Sequence, residues 1–144
     1  CVQPRVAVFG KKDYQQWLVL RQLARQFALP VEVVGYDIQR AEDGLALSSR
    51  NGYLGLGERT QAVQLAQALY AMGEAVRGGE RDFATIEARA MQTMAAHGWQ
   101  PDYMALRRAA DLQPARPGDA LVALGAARLG STRLIDNLEI PATA

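Results

Sequence analysis

The sequence predicts an α/β protein in two parts: a parallel βαβ unit, then a small α+β domain of helices and a three-stranded antiparallel sheet. Three observations carry this. Two short apolar β-forming runs, residues 5–9 and 31–35, flank one amphipathic helical stretch, and a crossover of that length is most simply a right-handed parallel unit. Residues 37–44 then turn polar and charged, marking a boundary that gives domains of residues 1–38 and 39–144. Beyond the boundary, helical periodicity comes first and three strand-like runs follow.

Composition sets the frame. The 144 residues are 49% hydrophobic and 22% charged, with a formal net charge of +1, which is a globular composition at a length that buries about two-thirds of the unfolded surface. No basic excess suggests a nucleic-acid partner. No apolar run free of charge is long enough for a membrane span, the first residues do not resemble a secretory signal, and Cys1, the single cysteine, can form neither an internal disulfide nor a thiolate metal cluster. A cytoplasmic protein with no membrane partner is expected.

Residues 5–9 form a mostly apolar run ending at Gly10, which predicts a buried strand. Asp13 stands at the N-cap position of the following helix, Gln16 three residues later completes a box-like arrangement, and Trp17, Leu20, Leu23, Ala24 and Phe27 make one apolar face before Pro30. Two parallel strands under one helix leave a sheet edge and a sheet face bare. Strands preceding Cys1 are therefore expected, with this chain as the carboxyl part of a longer protein.

In the second part, residues 58–77 read as one helix with Ala62, Leu65, Ala66, Leu69, Met72, Gly73 and Val76 on its buried face, stopped by Gly78-Gly79. Asp82 caps a second helix, whose stripe of Phe83, Ile86, Ala90 and Met94 completes a helical hairpin closed by Gly98. The methionines read as core filler. Residues 103–107, 120–128 and 132–140 read as strands, with Gly130-Ser131 as a tight turn between the last two.

Two stretches carry chemistry. Gly10-Lys11-Lys12-Asp13 lies at the carboxyl end of a strand and the amino end of a helix, where open α/β sheets bind ligands and free N–H groups favour an anion. The plain alternative is a solvated turn with two surface lysines. Gln16 either caps the helix or hydrogen-bonds a ligand hydroxyl or carboxylate. In Asp43-Gly44-Leu45-Ala46-Leu47-Ser48-Ser49-Arg50-Asn51, two hydroxyls stand beside a guanidinium, a combination suited to phosphate oxygens. The alternative there is a serine that merely caps the next segment. His97, the only histidine, reads as a partner of a helix carboxyl end or a surface residue. The scattered carboxylates show no metal-ligand spacing.

Gly10-Lys11-Lys12-Asp13-Tyr14-Gln15-Gln16, the Asp43 to Asn51 motif and Thr132-Arg133-Leu134-Ile135-Asp136-Asn137, in this order, resemble the carboxyl half of the pantothenate synthetase family. The resemblance implies the last βαβ part of a Rossmann-like nucleotide-binding domain followed by a lid domain. It also implies ligation of pantoate to β-alanine through a pantoyl-adenylate, with ATP and Mg2+, releasing pyrophosphate and then AMP. Carried over by motif, Gly10, Lys11, Lys12 and Asp13 fall on the ATP-binding segment, with Lys12 at the phosphates and Asp13 near the nucleoside. Gln16 falls on a pantoate contact, Gln39 where backbone meets adenine, and Leu47, Ser48, Ser49 and Arg50 on a loop that closes over the phosphates.

No catalytic residue is assigned, because the family's essential histidines would lie in the missing amino-terminal half. Implied partners are pantoate, β-alanine, ATP and that half, with a homodimer as one option for the full-length protein. Lys11 replaces a more usual Glu, and Tyr36-Asp37-Ile38-Gln39 replaces a run usually resembling Val-Pro-Thr-Val. The expected function is therefore that of a ligase fragment inactive alone. The alternatives are a non-catalytic folding or association module and a related adenylate-forming ligase with another acid substrate.

Overall fold

The computed structural model describes residues 2–142, which leaves Cys1 outside the described residues. The chain divides between Gln39 and Arg40 into two compact units.

The first unit is β1 (Val6–Gly10), a 3-10 turn (Lys11–Asp13), α1 (Tyr14–Gln26) and β2 (Glu32–Tyr36). The strands pair in parallel, with Val6 opposite Glu32 and Gly10 opposite Tyr36. Two details of the sequence reading are corrected. β1 is not a buried strand: Val6 and Val8 are 48% and 60% exposed, because one helix covers only one face of a two-stranded sheet and alternate residues point to the other. On α1, Trp17 and Ala24 are buried as expected, but Tyr14 and Leu18 join them while Leu23 and Phe27 are exposed. The apolar residues of this helix span more than the arc that the short sheet covers. Asp13 does precede the helix, yet its side chain makes no capping hydrogen bond.

The second unit holds a 3-10 turn (Ser49–Tyr53), α2 (Leu56–Gln61), α3 (Val63–Arg77), α4 (Phe83–Ala96), β3 (Gln100–Arg108), β4 (Leu121–Leu129) and β5 (Thr132–Ile140). The strands form an antiparallel meander in the order β3, β4, β5. The helix expected over residues 58–77 is interrupted at Ala62, where α2 ends and α3 begins. Its seven predicted core residues are nonetheless all buried. Asp82 caps α4 by accepting a hydrogen bond from Thr85 N at 3.1 Å, and Gly79, Gly98 and Gly130 take the positive φ angles that end two helices and turn the last hairpin.

Helices α3 and α4 pack on one face of the sheet. Leu69, Met72, Met94, Leu106 and Ile140 form the centre of that core. Gly125 on β4 lets the core pack closely over it, since a Cβ there would stand 2.9 Å from Leu65 Cδ1 and 3.1 Å from Met104 Sδ. Among the described residues, no helix is long and apolar enough to cross a membrane.

Candidate functional site

In the first unit the expected anion-binding residues occupy one short stretch. Gly10 ends β1 in an extended conformation, and Lys11, Lys12 and Asp13 form the 3-10 turn that leads into α1. A Cβ at Gly10 would meet nothing within 4 Å, so the end of the strand opens onto free space on that side. Lys12 is half-buried, while Asp13 and Gln16 are exposed.

Lys11 is oriented by its neighbours. Its Nζ lies 2.9 Å from Asp37 Oδ1 and 5.7 Å from the ring centroid of Trp17. A Cβ at Gly35 would stand 2.7 Å from Trp17 Cε2 and 3.0 Å from Lys11 Cγ, so only glycine lets both side chains lie across β2. Lys11 and the run beginning at Tyr36, the two places where the sequence departs from the resemblance described above, thus meet in one ion pair. Gln39 is exposed, and its Nε2 donates to Asp37 O at 3.3 Å.

In the second unit, residues 40–46 fold into a tight hairpin-like turn. Ala41 N donates to Leu45 O and Gly44 N to Ala41 O, each at 2.9 Å, and Gly44 takes φ +91°. Leu45 and Ala46 are buried. Asp43 receives a two-pronged contact from Arg59, at 2.6 and 3.2 Å, and accepts from Leu45 N. Those hydrogen bonds, Arg59's first, hold the Asp43 carboxyl below its ordinary range.

Downstream, Ser48 Oγ accepts from Arg50 N at 3.1 Å and so caps the 3-10 turn, while Asn51 Nδ2 donates to Ala46 O at 3.2 Å. The capping role foreseen as the plain alternative is therefore present. Leu47, Ser49 and Arg50 are exposed, so a hydroxyl and a guanidinium remain on the outside of a braced turn.

Sequence reasoning missed the group that braces this turn. Arg40 Nη1 and Nη2 donate to Asp136 Oδ2 and Oδ1 at 2.7 and 3.0 Å, and further bonds reach Gly44 O at 3.0 Å and Asn137 O at 3.1 Å. Its guanidinium also lies 5.8 Å from the Tyr70 ring centroid. Burial would lower the Arg40 pKa, but the hydrogen bonds and charge of Asp136, with a contribution from Tyr70, outweigh it and hold the group above its ordinary value. Both Arg40 and Asp136 are plain in the sequence, but a pairing across 96 residues leaves no local signature.

His97 is exposed at the carboxyl end of α4, with Nδ1 2.7 Å from Thr93 O. That is the helix-end placement expected for it. Among the described residues, no group of three or more His, Cys, Asp or Glu stands together as a metal cage.

Known proteins resemble this chain along most of its length. A pantothenate synthetase of Leptothrix cholodnii is 60% identical over 143 residues, covering 96% of this chain and 50% of the relative. The crystal structure of a Thermus thermophilus pantothenate synthetase superposes with a TM-score of 0.89 at 43% identity, over 97% of this chain and 51% of that one. A Francisella tularensis pantoate-beta-alanine ligase, crystallised in complex with beta-gamma ATP and beta-alanine, matches with a TM-score of 0.65 at 26% identity, over 95% and 44% of the two chains. This chain spans about half the length of these relatives. The model of the family described as pantoate-beta-alanine ligase matches residues 1–139, both units included, and the chain accordingly belongs to that family.

Proposed function

We propose that this chain is the carboxyl part of an ATP-dependent ligase that joins pantoate to β-alanine through a pantoyl-adenylate, releasing pyrophosphate and then AMP. Residues 1–38 serve as the terminal part of a Rossmann-like nucleotide-binding domain, and residues 39–144 as its lid. The observation that carries the reading is the family match across residues 1–139, including the Ser48-Ser49-Arg50 turn. Activity is expected to need the half-length that the relatives carry in addition.

In this reading Lys12 contacts the phosphates, with Gly10 and Lys11 lining the same segment and Asp13 near the nucleoside. Gln16 contacts pantoate, and the backbone at Gln39 meets adenine. Leu47, Ser48, Ser49 and Arg50 cover the phosphates. Attack of a carboxylate on the α-phosphate needs alignment and stabilisation of charge on the departing pyrophosphate more than a protein nucleophile. A mobile ammonium at Lys12 and a planar fork at Arg50 are suited to that charge. Magnesium enters this reading as the companion of the nucleotide phosphates, held chiefly by their oxygens.

The test is pantoate-dependent exchange of labelled pyrophosphate into ATP by this chain, with and without a separately supplied amino-terminal half. Exchange in the mixture alone is expected, and it should be lost in Lys12→Ala and Arg50→Ala. No exchange from folded, associated halves would overturn the reading.

A further inference from the structure

We propose that Arg40, acting through Asp136, is the positioning residue for the turn that carries Ser48, Ser49 and Arg50. The inference rests on the nucleotide-loop reading above and extends it to a residue outside the contacts proposed there. Asp136 has a side chain only 3% exposed, and its Oδ1 also accepts from Asn137 N at 2.8 Å. Such a carboxylate is fixed in direction and needs a cation. Arg40 answers with a bidentate contact while its remaining bonds hold Gly44 O and Asn137 O, so one planar group ties the hairpin-like turn to β5.

The tie continues along the chain. Arg40 pairs with Ala46 in an isolated antiparallel bridge, and Ala46 O accepts from Asn51 Nδ2 within the 3-10 turn. A series of contacts therefore runs from the buried Asp136 through Arg40 and Ala46 to the side chain of Asn51, whose backbone N–H in turn donates to Ser48 O at 3.1 Å. The second brace, Asp43 with Arg59, is solvent-exposed and correspondingly weaker. A turn ordered before the ligand arrives loses less entropy on binding, so its residues act at full strength.

Arg40→Lys is the informative variant, because it keeps the charge but removes the planar fork. Amide exchange in this chain should accelerate by about tenfold over residues 44–51, with β3, β4 and β5 unchanged. In pyrophosphate exchange by the chain combined with its amino-terminal half, KM for ATP should rise by about fivefold while kcat changes less than about twofold. Asp136→Asn should produce the same pattern more weakly. Unaltered exchange at residues 44–51, or acceleration spread equally over the sheet, would overturn the proposal. So would a loosened turn with unchanged KM in an enzyme that Arg50→Ala inactivates. An Arg50→Ala enzyme as active as the parent would instead remove the nucleotide-loop reading, and this inference with it.

Discussion

The indole Nε1 of Trp99, buried after α4, donates to Gln64 Oε1 on α3 at 2.9 Å, joining the loop that leads into β3 to the helix layer behind it. Gln64→Leu would leave that N–H without an acceptor inside the core. The second unit should lose about 1 to 3 kcal/mol, whereas Gln64→Glu, which keeps an acceptor, should lose less. Urea unfolding followed by Trp99 fluorescence measures both. Equal losses would show that the hydrogen bond does not set the cost.

Gly125 and Gly57 should respond to alanine with opposite signs. At Gly125 the new methyl would enter the space of Leu65 Cδ1 and Met104 Sδ. Both are buried side-chain ends able to shift a little, so a loss of about 1 to 2 kcal/mol is expected. Gly57 lies inside α2 with nothing within 4 Å of its Cβ position, and alanine there should stabilise by about 0.5 to 1 kcal/mol. Thermal midpoints of the two variants compare them directly, and a stabilised Gly125→Ala would contradict the packing argument.

Asp82 gives α4 an acid-labile start. Thr85 supplies the hydrogen bonds that lower its pKa, the hydroxyl first and then the backbone N–H. A folded value below the ordinary 3.8 means that the stabilisation is present above about pH 4 and is lost as pH falls through the folded pKa. Amide protection at Thr85 and Ile86 should therefore decline below pH 3.8, and Asp82→Asn, which still accepts a hydrogen bond, should remove this pH dependence. The same decline in Asp82→Asn would assign it to another group.

Lys11 and Asp37 should behave as a matched pair. Lys11→Glu would set two carboxylates against each other and destabilise the first unit by up to about 1 kcal/mol, an effect that shrinks in high salt. Lys11→Glu with Asp37→Lys should restore it. Trp17 fluorescence is the natural readout, because Lys11 lies near its ring. A double variant no better than the single one would show that the two positions are not coupled.

Local rules proved most reliable where one residue decides one feature. Asp82 as a cap, Gly98 as a helix end and Gly130-Ser131 as a hairpin turn were all legible. So was the 3.6-residue repeat that buries Leu65, Leu69, Met72 and Val76. Legibility failed where exposure depends on what covers a face, since periodicity marks Leu23 and Phe27 as an apolar stripe without saying how wide a sheet lies beneath them. It failed again at Ala62, because a helix interrupted between two good helical segments keeps the same residue spacing. The candidate site was readable as motifs but not as a mechanical arrangement. Ser48, Ser49 and Arg50 announce themselves by composition, while Arg40 becomes interpretable only once Asp136 is seen in front of it.

The separation of Arg40 from Asp136 also orders events during synthesis. At roughly 5 to 20 residues per second, the ribosome makes Arg40 several seconds or more before the aspartate 96 positions later. The serine-rich turn is thus among the first pieces of its unit to be made and among the last to be fastened. The contact that holds the turn to β5 can form only once Asp136 has been made, so the turn stays untied until then.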